Sequence, residues 1–212
     1  KALAHAINRQ EIIDGAMFGY GTPIGTHFAP HNPNYLDLRN NSKYDPHLSK
    51  ELLGKANYDI NMPISLKLPP PSYARRGGEI VASQLRKVGF NIQITNLEWA
   101  QWLEQVFKGK DYNLTIVSHT EPADINIYAR PNYYFQYADP RFQDLMRKLN
   151  LTAEPSKRTA ILHAAQKLIS ENYVNGYLFQ LAKTGVANVR IEGLWENSPT
   201  QANDLTEVRW LD

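Results

Sequence analysis

Cysteine is absent from this 212-residue chain, which excludes thiol nucleophiles, Cys-ligated zinc, iron–sulfur clusters and disulfides. Long apolar runs are missing too. Every uncharged stretch is broken by Pro, Asn, Gly or Gln well short of the ~18–20 residues of a membrane span. Nor does charge of one sign accumulate: 23 Lys and Arg against 21 Asp and Glu leave +2, and no basic run exceeds the pair Arg75-Arg76. A nucleic-acid-binding surface needs such an accumulation, so no nucleic-acid partner is expected. The sequence also lacks a G-x-S-x-G elbow, an H-E-x-x-H helix, a Ser-His-Asp spacing and both glycine-rich nucleotide motifs. No catalytic machine and no cofactor is expected.

What is present reads as an ordered globular chain. Hydrophobic residues at 42% and charged residues at 21% lie away from the regime of disordered chains. Leu3, Ala6, Ile7, Ile12, Ile13 and Ala16 recur at helical spacing from the first residues with no capping side chain before them, which points to one lobe of a longer protein. Residues 17–45 carry Gly19, Gly21, Pro23, Gly25, Pro30 and Pro33 and predict an ordered, aromatic-rich loop. Asp45 and Pro46 then read as the cap and first residue of a short helix with Leu48, Leu52, Leu53 and Ala56 on one face.

From residue 64 to 118 the pattern reads β-α-β-α-β. ISLKL (64–68) alternates like a strand and is stopped by three prolines, while Ile80, Val81, Gln84, Leu85 and Val88 mark a helix face that stops at Gly89. NIQITNL (91–97) is the second strand. Trp99, Trp102, Leu103, Val106 and Phe107 mark a helix ended by Gly109, and YNLTIVS (112–118) is the third strand. Strands separated by helices predict parallel pairing with right-handed crossovers. The fold class is therefore α/β, a mixed sheet with a β-α-β-α-β core flanked by helices. Pro140 and Pro155 open two further helices that read as an antiparallel pair, and YLFQLAKTGVANVRI and LTEVRWL supply short strands.

In an open α/β sheet, ligands favour the crevice beyond the carboxyl ends of the strands. Those ends deliver Pro69 to Tyr73, Glu98 with Trp99, and Ser118 to Asp124. The densest group is His119, Glu121 and Asp124. Their spacing matches no metal-site motif, and a carboxylate at a cleft mouth suits an ammonium or guanidinium group, with Trp99, Tyr128, Tyr133 and Tyr134 as apolar lining. The candidate ligand-binding set is Asp124, Glu121, His119, Trp99, Tyr73, Tyr128 and Tyr133, with no catalytic residue and no metal ligand. Arg75, Arg76, Gly77 and Gly78 offer a weaker anion site at a helix start. His27 and His31, around Pro30, are expected at the surface. Two competing readings are a metal-dependent or carboxylate hydrolase built on His119, Glu121 and Asp124, and an adhesive or chaperone-like module using the aromatic loops.

The chain also resembles a known family. AHAINRQEIIDGAMFGYGTPI is similar to the "ALNYAIDREAIV…G.GTPA" segment of the family 5 extracellular solute-binding proteins, the peptide and nickel receptors of ABC importers. KYDPHLSKELLGKANY resembles "YDPEKAKALLAEAGY", GGEIVASQLRKVGFNIQI resembles "AE.IQ..LKKIGI.V.I", and residues 164–195 resemble the family's closing stretch. The resemblance implies the C-terminal lobe of a type II periplasmic-binding-protein fold, with residues 1–212 as one lobe. It implies a monomeric receptor, periplasmic or lipid-anchored at the cell surface, that closes on a di- or oligopeptide with its N-terminal lobe and delivers it to an ABC permease. In peptide-binding relatives the loop matching SHTEPADIN carries an aspartate that pairs with the ligand's amino terminus. The resemblance passes that role to Asp124 or Glu121, in a loop where His119 stands in place of the usual Trp.

Overall fold

The computed structural model describes residues 1–121, 123–195 and 204–212. The apolar spacing of the first seventeen residues makes two helices rather than one: α1 (Ala2–His5) and α2 (Arg9–Met17). The break falls where Asn8 caps α2, its side chain accepting the Glu11 amide, so the cap missing from the start of the chain lies inside the pattern. Residues 18–45 form the expected ordered loop, with a short strand β1 (Gly21–Pro23) and a 3-10 turn (Arg39–Ser42) that loop chemistry alone does not announce. Helix α3 (Pro46–Lys55) is capped by Asp45, which accepts the Leu48 amide at 2.8 Å, and Asn57 in the left-handed region turns the chain away.

The β-α-β-α-β run is present. Strands β2 (Pro63–Leu68), β3 (Asn91–Asn96) and β4 (Leu114–Thr115) form one sheet in the order β3-β2-β4 with every pair parallel. The third strand is shorter than YNLTIVS suggests, because only Leu114 and Thr115 pair, with Leu66 and Lys67. Helix α4 (Ser72–Val88) crosses between β2 and β3 and stops at Gly89, whose φ of 114° a side-chain-bearing residue rarely adopts. Gly77 and Gly78 lie within this helix rather than at an anion-binding turn. Both are buried, and a Cβ on Gly78 would land on Leu68 well inside van der Waals contact. Arg75 bonds the Leu97 carbonyl and Glu98.

The second crossover starts as α5 (Trp99–Trp102) and continues as a π-helical turn over Leu103–Lys108. Single π turns of this kind occur often at functional sites. Helices α6 (Pro140–Leu151) and α7 (Pro155–Glu171) pack together as expected. The antiparallel strands sit in separate ribbons: β1 with β5 (Phe179–Leu181), and β6 (Ile191–Glu192) with β7 (Arg209–Trp210).

Burial divides the molecule. Ile12, Ile64, Leu66, Leu68, Val81, Leu85, Val88 and Ile92 form an aliphatic core around the parallel sheet. Phe28, Ile125, Ile127, Tyr128, Phe142, Met146 and Ile169 form a second core under the loop that follows β4. Between them Leu97, Trp102, Val106 and Tyr134 make a small aromatic bridge.

Candidate functional site

Parallel pairing brings all three strand ends to one edge, and side chains fasten them together there. The Ser118 amide donates to the Tyr73 hydroxyl at 3.1 Å, Arg75 pairs with Glu98 at 2.8 Å, and Trp102 Nε1 donates to Thr115 at 3.0 Å. Beyond this edge the chain forms a 3-10 turn over Asp124–Ala129, which sinks Ile125, Ile127 and Tyr128 into the second core. A cavity of about 260 Å³ opens over it. Trp102, Leu103, Phe107, Val117, Ile127, Tyr133 and Tyr134 supply its apolar wall, and Ser118, His119, Thr120, Glu121, Asp124 and Arg130 its polar wall.

Asp124 is the pivot. Its side chain retains 10% exposure, with Oδ1 lying 2.6 Å from His27 Nε2 and Oδ2 lying 3.4 Å from His119 Nδ1. Burial alone would push this carboxyl up, but the imidazoles of His119 and His27 beside it outweigh burial and hold it well below the usual carboxylate range. It is therefore an anion in a cavity with one apolar and one polar wall. His119 stacks on Tyr134 with ring planes 3° apart, and its Nε2 lies 3.0 Å from the Tyr134 hydroxyl. Burial raises the pKa of the Tyr134 phenol strongly, and Tyr73 and Tyr133 are raised by the same cause, so all three keep neutral hydroxyls.

Of the residues that the sequence singles out, Asp124, Glu121, His119 and Tyr133 line one cavity. Tyr73 stands behind the lining and holds Ser118, Trp99 lies edge-on to Trp102 at 5.7 Å outside the lining, and Tyr128 is fully buried beneath His27. His27 departs from expectation. Its side chain is 8% exposed and sits directly on Asp124, while His31 does lie at the surface and bonds Gln180. The pairing spans 97 residues of sequence, and nothing local to Pro30 signals it. Arg130 is a second residue that sequence reading passes over. It lies in the cavity wall with its guanidinium over the Tyr133 ring.

His119, Glu121 and Asp124 bring one potential ligand atom each within 4.8 Å of one another. His27 already occupies one oxygen of Asp124. As arranged, the group offers acceptor atoms to a cation. Pro122, in the same loop, lies outside the described residues. A second, more open depression of about 490 Å³ covers Gln136–Arg141, but its carboxylate, Asp139, is already paired with Arg141 at 2.6 Å and caps α6.

Residues 1–138 match the family model described as bacterial extracellular solute-binding proteins, family 5 Middle. The chain belongs to this family. Its members bind solutes outside the cytoplasm. Di/tripeptide-binding protein 1 of Pseudomonas aeruginosa is 23% identical over 98% of this chain, and the glutathione-binding protein of an Escherichia coli O6 strain is 28% identical over 80% of it. The chain spans 41% and 36% of the lengths of these two relatives. Among solved structures, the dipeptide-binding protein of Pseudoalteromonas sp. SM9913, in complex with Met-Leu, superposes with a TM-score of 0.83 at 23% identity, covering 99% of this chain and 44% of that one. The fold is that of a type II periplasmic binding protein. Among the described residues, no helix is long and apolar enough to cross a membrane.

Proposed function

We propose that this chain is the C-terminal lobe of a two-lobed receptor that captures a short peptide by its amino terminus and presents it to an ABC permease. The observation that carries this reading is the ionised, mostly buried Asp124 at the floor of an aromatic-walled cavity, at the carboxyl edge of the parallel sheet. A carboxylate so placed accepts charge-assisted hydrogen bonds from an ammonium group, and the rings of Phe107, Tyr133 and Tyr134 cover the adjoining apolar atoms. No bond is made or broken. The ligand binds the closed arrangement of the two lobes better than the open one and shifts the population toward it. The named relatives bind dipeptides, tripeptides or glutathione, all short peptides with a free amino group, which supports the same ligand class. The receptor acts as a monomer in the periplasm or anchored to the outer face of the cell membrane.

Titration calorimetry on the full-length protein tests this. Met-Leu is expected to bind, and Asp124→Asn to weaken it by about 10- to 100-fold, the range of a hydrogen bond to a charged group at ~1.5–3 kcal/mol. An Asp124→Asn variant that binds Met-Leu as tightly as the parent sinks the proposal.

A further inference from the structure

His27 is more than a neighbour of Asp124, because the carboxylate it faces fixes which way it donates. Its Nε2 lies 2.6 Å from Asp124 Oδ1, and an ionised carboxylate only accepts, so Nε2 carries the proton. Its Nδ1 lies 3.3 Å from the Tyr128 hydroxyl. That hydroxyl is 2.6 Å from Asn175 Nδ2 and 3.1 Å from the Tyr177 hydroxyl. The Asn175 amide must donate. If Tyr177 donates as well, both lone pairs of the Tyr128 oxygen are filled and its proton goes to His27 Nδ1. This assignment satisfies every partner from Tyr177 through Tyr128 and His27 to Asp124; the reverse run, with Nδ1 donating to Tyr128 and Tyr128 to Tyr177, satisfies them too, so what the geometry fixes is the proton on Nε2, facing Asp124.

The two sides of Asp124 differ. His27 is 8% exposed, pinned by Tyr128, and within ordinary hydrogen-bond distance of Oδ1. His119 is 27% exposed, and at 3.4 Å from Oδ2 it is beyond that distance. We infer that His27 is the positioning residue of the binding site: it holds Asp124 through Oδ1 and turns Oδ2 toward the cavity, where an arriving ammonium displaces His119. This rests on the peptide-capture reading. It adds to that reading a residue that never touches the ligand, together with a division of labour between two histidines. His27 sits in the first loop and Tyr177 near β5, so the relay also ties the beginning and end of the chain to the turn that carries Asp124.

The test uses the full-length protein, with Met-Leu and N-acetyl-Met-Leu as probes. His27→Ala is expected to weaken Met-Leu at least 10-fold while leaving the weaker binding of the acetylated peptide unchanged. His27→Gln, whose amide still donates to Oδ1, restores Met-Leu to within about threefold of the parent. A second measurement needs no ligand: imidazole ¹⁵N–¹H correlation spectra are expected to show a proton on His27 Nε2. The inference is overturned by a His27→Ala variant that binds Met-Leu normally while Asp124→Asn does not. It is equally overturned by parallel loss of both peptides, which marks a merely structural histidine, or by the Nδ1–H tautomer in the parent. If Asp124→Asn has no effect, or Met-Leu fails to bind the parent, the capture reading falls instead, and the tautomer still decides the role of His27.

Discussion

Around the parallel sheet the buried side chains are mainly aliphatic, with Phe90, Gln84 and Lys67 among them, and regular backbone holds them: Leu66 and Leu68 on β2, Val81, Leu85 and Val88 on α4, and Ile92 on β3. Around the cavity aliphatic residues such as Ile125, Ile127 and Ile169 are joined by aromatic and polar ones, drawn from segments far apart in sequence. Gln166, fully buried on α7, donates to the Asn34 carbonyl at 2.8 Å and accepts the Leu36 amide at 3.3 Å, and Ser170 donates to the Gly25 carbonyl at 3.2 Å. Tyr128 packs against Phe135 and Phe142 while its hydroxyl serves the relay to Asp124. The sheet half is a frame whose parts recognise one another by shape and periodicity. The site half is an irregular backbone whose buried carbonyls and amides need named partners, since an unpaired polar group in low dielectric is costly.

The comparison can be broken most directly in the two cores. Phe142, fully buried against Tyr128 and Tyr137, is expected to cost about 3–5 kcal/mol when cut to Ala, and Leu66→Ala about 2–5 kcal/mol, both read from urea unfolding. Their effects on function should differ. Phe142→Ala loosens the turn that carries Asp124 and weakens peptide binding, whereas Leu66→Ala lowers stability and leaves binding intact in the protein that remains folded. Equal losses of binding would show that frame and site are one cooperative unit. A smaller effect, about 1–3 kcal/mol, is expected of Gln166→Leu, which keeps the volume and orphans the Asn34 carbonyl and the Leu36 amide. Amide exchange then rises at Leu36 and not in β2.

What the sequence shows of this molecule follows the same division. The β-α-β-α-β order, the parallel sheet, the stop at Gly89, the cap at Asp45 and the helix start at Pro140 are legible because each depends on residues within a turn or two of itself. The positions of Asp124, His119 and Tyr133 at the cavity follow from their place after the third strand. The break at Asn8 is legible in principle, since a capping side chain inside an apolar repeat is a start signal. His27 is not. Its partner lies 97 residues away, and a histidine beside a proline in a glycine-rich loop looks the same whether it faces water or a carboxylate. The β1–β5 ribbon escapes for the same reason, being set by a contact between segments rather than by a local pattern.

If the ties of the site half work because they are buried, an exposed ion pair in the same half should matter little, and Asp37 offers that control. It pairs with Arg39 at 2.7 Å with both side chains about half exposed. Hydrogen bonding from Arg39 holds the Asp37 carboxyl down at about 2. A carboxyl lowered on folding adds stability above its unfolded value of ~3.9, and that contribution disappears as pH falls toward the folded value. Asp37→Asn should therefore be less stable than the parent by a constant amount from pH 7 to about 4, with the gap closing between about 4 and 2. Solvent screening limits the gap to about 0.2–1 kcal/mol. Urea midpoints of the two proteins at pH 7 and pH 3 check it. A gap at pH 7 as large as that for Gln166→Leu would mean that exposed charge, as much as buried hydrogen bonding, holds the first loop in place over the site.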